Sequence, residues 1–154
     1  MITIDNIDFK PVIRQGRVIP NYHVSQCGKV WNTKTKRYIK PYIQRRSKWE
    51  PPKCKEFSMT TEGQPYWDRG EMYKPKKNSN HLIEFRMKLH HAVINAWNPW
   101  YDYVNTLTRE QLIKHAQECM CVDHKDDDPL NNDFDNLQYS TPMQNSNWRK
   151  KWGK

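Results

Sequence analysis

The side chains able to do chemistry gather in one stretch, VDHKDDDPLNNDFDNLQYSTPMQNSN at 122–147, where six carboxylates surround a single histidine, His124. Asp123 precedes that histidine, and Asn136 and Asn145 follow at intervals that a compact unit could close. Carboxylate and amide oxygens are ligands for hard cations, and imidazole is the side chain whose ordinary titration lies nearest neutral pH. The residue types are therefore those of a metal site with a proton acceptor beside it.

The elements around the stretch can bring these groups together. CMCVDH reads as a short strand ending at Asp123 and His124, and KDDDPLNNDFD as a polar loop rich in turn residues. NLQYST reads as a second strand, and Thr141 followed by Pro142 opens a helix, PMQNSNWRKKW. A hairpin sets the end of its first strand beside the start of its second, and a helix crossing both lets Asp123, His124, Asn136 and Asn145 converge. Neighbours in an ideal strand face opposite ways, so Asp123 and His124 share a site only where the strand twists or ends. Upstream, Thr108 and Gln111 have capping-box spacing, which predicts a helix from about 109 to 118. HLIEFRMKLHHAVINAW begins as an alternating strand and turns helical near His90, while Tyr22–Tyr42 reads as a β-hairpin or three-stranded meander. Residues 45–77 read as loops and short strands.

The chain has 154 residues and a net charge of +9, which fits one small catalytic module with an appended lobe and excludes an elaborate multidomain enzyme. Only 36% of residues are apolar, so the core leans on large aromatics. No window approaches the ~18 apolar residues of a membrane span, and the first residues lack signal-peptide regions, so a cytoplasmic protein with reduced thiols is expected. Residues 34–77 carry thirteen Lys/Arg against five Asp/Glu, a surplus of +8, whereas residues 78–154 come to −1. A basic lobe interleaved with Tyr38, Tyr42, Trp49, Tyr66, Trp67 and Tyr73 suits a polyanion, because cations release counterions and aromatics pack on sugars or bases. Its alternative is a solvated surface.

Three segments resemble HNH endonucleases of the His-Me finger (ββα-metal) superfamily, in particular the phage and intron-encoded homing enzymes. VDHKDDDPLNNDFDNLQYSTPMQN is similar to the nuclease motif, LHHAV to the family's VHRLV segment, and NYHVSQCGKVWNTKTKRYIKPY to the module that often precedes it. The resemblance implies Asp123 and Asn145 as metal ligands, His124 as general base, and Asn136 as the residue orienting that histidine by accepting Nδ1–H, which leaves Nε2 for water. It further implies one divalent cation, Mg²⁺ with Mn²⁺ as a substitute, stabilising the phosphorane and the leaving oxygen, and, for a phage-encoded protein, the host bacterial cytoplasm. The family's loop commonly has Asp-Gly after the lysine; Asp126-Asp127-Asp128 offers no glycine, so the turn here is expected to differ.

Each feature has a plainer reading. Asp126, Asp127, Asp128, Asp133 and Asp135 read as loop and turn residues, Asn131 and Asn132 as satisfying loop backbone, and His90 as a packed structural histidine. Cys119 and Cys121, with Cys27 and Cys54, lack the two-knuckle spacing of structural zinc, so zinc is disfavoured. The expected architecture is α+β: a β-rich basic DNA-binding lobe over 1–80, then an HNH nuclease domain over 81–154 with its finger at about 119–152. The expected function is a metal-dependent DNA endonuclease, nicking duplex DNA as a monomer or weak dimer. DNA contacts are expected from Arg45, Arg46, Lys48, Lys53 and Lys55 and from the tail residues Arg149, Lys150 and Lys151. The rival is a catalytically inactive nucleic-acid-binding module, with or without a structural zinc.

Overall fold

The computed structural model describes residues 1–14, 17–45, 47–62, 67–68, 71–72, 82–99, 106–111 and 121–141. Arg46, Asn145, Arg149, Lys150 and Lys151, the helix expected after Thr141, and most of the helix expected from 109 lie outside them. Five antiparallel strands open the chain: β1 (Ile2–Ile4), β2 (Ile7–Arg14), β3 (Arg17–Ser25), β4 (Val30–Asn32) and β5 (Arg37–Ile39), in sequential order. The meander expected over 22–42 is its second half. Asp5 and Asn6 link β1 to β2 with φ of 51° and 61°, the left-handed pair of a two-residue hairpin turn. The β4–β5 turn is closed by Asn32, whose Oδ1 accepts from the backbone N–H groups of Lys34 and Thr35.

A second sheet is ordered β10 (Leu82–Lys88), β7 (Cys54–Glu62), β6 (Tyr42–Gln44), and β8 (Trp67–Asp68) pairs with β9 (Glu71–Met72) in a ribbon of its own. Residues 54–62 are thus one nine-residue strand and not the short pieces expected. Phe57 and Met59 are buried, β10 pairs with 56–62 and β6 with 54–56, a demand for strand that the charges of Lys53, Lys55 and Glu56 mask in the sequence. The Glu56 carboxylate is itself buried, and it accepts a hydrogen bond from the Tyr42 hydroxyl. The pairing of 56–62 with 82–88 crosses position 80.

Strand β10 runs directly into α1 (Leu89–Trp97), as the alternation of 82–88 and the spacing beyond it foretell. Its Leu89, Ala92, Val93, Ile94 and Ala96 are buried. They join Val12, Val24, Val30, Phe57, Met59 and, from the far end of the chain, Leu137 in one hydrophobic cluster. The helix therefore lies between the first sheet and the C-terminal hairpin, β11 (Cys121–His124) and β12 (Leu137–Ser140). Tyr139 ties that hairpin to the end of α1, its hydroxyl 2.9 Å from both Asn95 Oδ1 and Asn98 O. At residue 108 the capping box forms: Thr108 N–H donates to Gln111 Oε1 and Gln111 N–H to Thr108 Oγ1. No helix among the described residues is long and apolar enough to cross a membrane.

Candidate active site

The hairpin β11–β12 positions the first two candidates. Asp123 stands opposite Gln138 and His124 opposite Leu137, and the strand ends there, because the Asp127 N–H already turns back to the His124 carbonyl at 3.0 Å. The end of the strand resolves the two-face problem, and both side chains line a single cleft of about 540 Å³. Asp123 is 7% exposed and His124 9%. Gln138 Nε2 donates to Asp123 Oδ2 at 3.2 Å, leaving Oδ1 without a partner among the described residues.

The loop between the strands folds on itself around Asp126. Its Oδ1 accepts from the Asp128 N–H at 2.9 Å and from Asn136 Nδ2 at 2.8 Å, and its Oδ2 accepts from Asn131 Nδ2 at 2.8 Å. Slight burial raises the Asp126 carboxyl, but these donors outweigh it and hold the group below its ordinary value. Asp127 takes the left-handed conformation with φ of 61°, so the place where the family's glycine would fall keeps the backbone shape that favours glycine.

Asn136 belongs to this loop clamp. Its Oδ1 accepts from the Asp126 N–H at 3.1 Å, its Nδ2 also reaches Asn131 O at 2.9 Å, and its carbonyl accepts from the Lys125 N–H at 2.8 Å. With those oxygens engaged on the loop, it is Asn132 that meets the histidine: His124 Nε2 lies 3.2 Å from Asn132 Oδ1. The Asn132 amide is oriented by its Nδ2, which donates to Leu130 O at 3.0 Å, so Oδ1 faces the ring as acceptor and Nε2 carries the proton. The ring is thus the reverse of the expectation: Nδ1, which has no partner among the described residues, is the nitrogen with a free lone pair. The sequence assigns Asn132 to loop backbone, half of what it does. Only the closure of the loop around Asp126 carries its other half to the imidazole.

Two further elements brace the site. The β3–β4 turn places Gly28, φ 78°, where an added Cβ would meet Asn132 Cβ at 3.5 Å and Leu89 Cδ2 at 3.4 Å, and Gln26 O accepts the Phe134 N–H at 2.8 Å. From α1, the His90 ring packs edge-on against His124 with centroids 4.9 Å apart. His90 is buried with Nδ1 unpartnered among the described residues. Burial, then the neighbouring His91, His124 and Lys88, push its pKa down to about 2, and burial likewise takes His91 to about 4. His90 is therefore neutral at working pH and serves as a wall for the His124 ring.

Glu50, Pro51, Pro52 and Lys53, from the β6–β7 loop, line the same cleft with Asp127 and Pro129. The sequence groups Lys53 with the other basic residues of the lobe, yet of the described cations it is the one in this lining. Arg45 and Lys48 stand exposed in the same loop, Lys55 is half-buried on β7, and Trp49 is 84% exposed with the Lys48 ammonium 4.6 Å from its ring centroid. The thiols among the described residues sit apart on separate elements, Cys27 beside Ser25 Oγ, Cys54 donating to Gln44 Oε1 and Cys121 donating to Ser140 O, and Cys119 lies outside them. No cluster of three or more His, Cys, Asp or Glu suited to a metal occurs among the described residues. Of the carboxylates lining the cleft Asp123 is the buried one, and it fits a hard cation that keeps waters and takes further oxygen ligands.

Residues 118–147 match the family model described as HNH endonuclease. Comparison with curated protein sequences gives no match. Among solved structures the fold is similar to that described as "DNA binding and cleavage by the HNH homing endonuclease I-HmuI", with a TM-score of 0.55 and 17% identity. The similarity covers 96% of this chain and 60% of that one, so the chain spans about three-fifths of the length of that protein. The family match is thus confined to the β11–β12 hairpin and its flanks, while the structural similarity shows a shared fold over nearly the whole chain.

Proposed function

We propose that the protein is a metal-dependent endonuclease that hydrolyses a phosphodiester of duplex DNA, nicking one strand per encounter. The observation that carries this reading is the His124 imidazole, held by Asn132 through Nε2 with Nδ1 left for a water, beside Asp123 in one cleft. In the reaction, a water oxygen bonds to phosphorus while its proton passes to His124 Nδ1, and the bond from phosphorus to the 3′-oxygen breaks. Asn132 keeps the ring in the tautomer that can accept the proton, and His90 limits its rotation. Asp123, together with Asn145, would hold the divalent cation, which when bound supplies Lewis-acid stabilisation of the phosphorane and the leaving oxygen. Gln138 orients the Asp123 carboxylate. The exposed cations of the β6–β7 loop, with Arg149, Lys150 and Lys151 of the tail, bind the DNA backbone.

Incubation with supercoiled plasmid and Mg²⁺ or Mn²⁺ tests the proposal. The expected result is open-circle product that EDTA abolishes. A protein that retards DNA in a gel yet gives no metal-dependent product would be a binding module instead.

A further inference from the structure

We propose that Lys53 is a catalytic residue of this site, donating to a non-bridging oxygen of the scissile phosphate from the wall formed by the β6–β7 loop; the inference rests on the nuclease reading above. The cleft that holds Asp123 and His124 is also lined by Glu50, Asp127 and Lys53. Among the described residues, three carboxylates and one ammonium are therefore the charged groups that face an incoming phosphodiester, itself an anion. A divalent cation held at Asp123 would offset part of that repulsion. The attack of water adds charge to the equatorial oxygens of the phosphorane, and a fixed cation aimed at them acts more strongly on the transition state than on the ground state.

Lys53 is built to be such a cation. Its N–H donates to Gln44 O at 2.9 Å, extending the β6–β7 pairing one step beyond Gln44 and Cys54. The residues before it are Pro51 and Pro52, whose ring-fixed φ stiffens the approach, and Arg45 Nη1 donates to the Glu50 carbonyl at 3.4 Å. The backbone that carries Lys53 is thus tied to a sheet whose Phe57 and Met59 are core residues. Its side chain is exposed, so substituting it leaves packing intact. Lys55, two residues further on in β7, has the same charge and is not in the cleft lining, which makes it the matched comparison.

Single-turnover cleavage of plasmid with Mg²⁺ separates the roles. Lys53→Ala is expected to lower kcat at saturating DNA by ~10–100-fold with KM changed far less, the pattern of an interaction made in the transition state. Lys53→Arg should recover most of that loss. Lys55→Ala should act on KM. Lys53→Ala with wild-type kcat, or with the same KM effect as Lys55→Ala, would overturn the assignment, and so would an arginine variant no better than alanine. Wild-type protein and His124→Ala run in parallel distinguish the levels: a wild type with no metal-dependent product defeats the nuclease reading, a His124→Ala that cleaves like wild type defeats the placement of the chemistry in this cleft, and loss in His124→Ala beside an unaffected Lys53→Ala defeats the Lys53 proposal alone.

Discussion

At the scale of single residues, the site turns on two asparagines with different tasks. Asn132 holds the imidazole and Asn136 holds the loop. Asn132→Ala should therefore lower the cleavage rate by ~10–100-fold with little change in DNA affinity, since the wrong tautomer and a loose ring affect proton transfer and not phosphate binding. Asn136→Ala should instead lower the melting temperature, because it removes bonds to Asp126 and Asn131 and leaves Asp126 short of donors. Thermal melts and single-turnover rates on both variants check this, and the reverse pattern would return the orienting role to Asn136. The sequence made Asp123 and His124 legible, since no other histidine lies in so acidic a setting. It could not separate the asparagines, because that distinction depends on how the loop closes around Asp126 and on Gly28 pressing from a strand turn about a hundred residues upstream.

At the scale of elements, α1 does two jobs: it closes the core and it presents His90 to His124. The strand-to-helix switch at Leu89 was readable from the change of apolar period, as was the meander of the first sheet. The length of β7 was not, because only its partners β6 and β10 justify a strand through Lys55 and Glu56. Both histidines at the start of α1 have folded-state pKa values below the ordinary one, about 2 and about 4. Lowered values mean that the unfolded chain binds the protons first, so their contribution to stability is whole above the unfolded pKa and declines as pH falls from about 6.5. His90 alone should cost on the order of 2 kcal/mol of stability at pH 5 relative to pH 7.5. Denaturant melts at the two pH values test this; the loss should shrink in His90→Phe, and an equal loss in that variant would show that other groups carry it.

At the scale of the whole molecule, the basic stretch 34–77 and the cleft of Asp123 and His124 lie far apart in the sequence and meet across one core. The β6–β7 loop is the junction, with Arg45 and Lys48 outside the cleft and Lys53 within its lining. Composition alone raised the expectation of a polyanion partner but could not show that one of those cations lines the cleft of Asp123 and His124, because nothing in the spacing of 45–55 ties it to 123–124. Replacing Arg45, Arg46, Lys48 and Lys55 with glutamine should weaken DNA binding and flatten the slope of log affinity against log salt by ~0.9 for each phosphate no longer neutralised. A fluorescence-anisotropy titration at several salt concentrations reads that slope; an unchanged slope would mean that these cations form a solvated face and that the DNA is held elsewhere.

The central claim is that His124 takes the proton from the attacking water. Single-turnover cleavage of plasmid by His124→Ala, with affinity measured on the same DNA, tests it most directly. The expected result is a rate lowered by ~10²–10⁴ with affinity nearly unchanged. A His124→Ala protein that cleaves at the wild-type rate would contradict it.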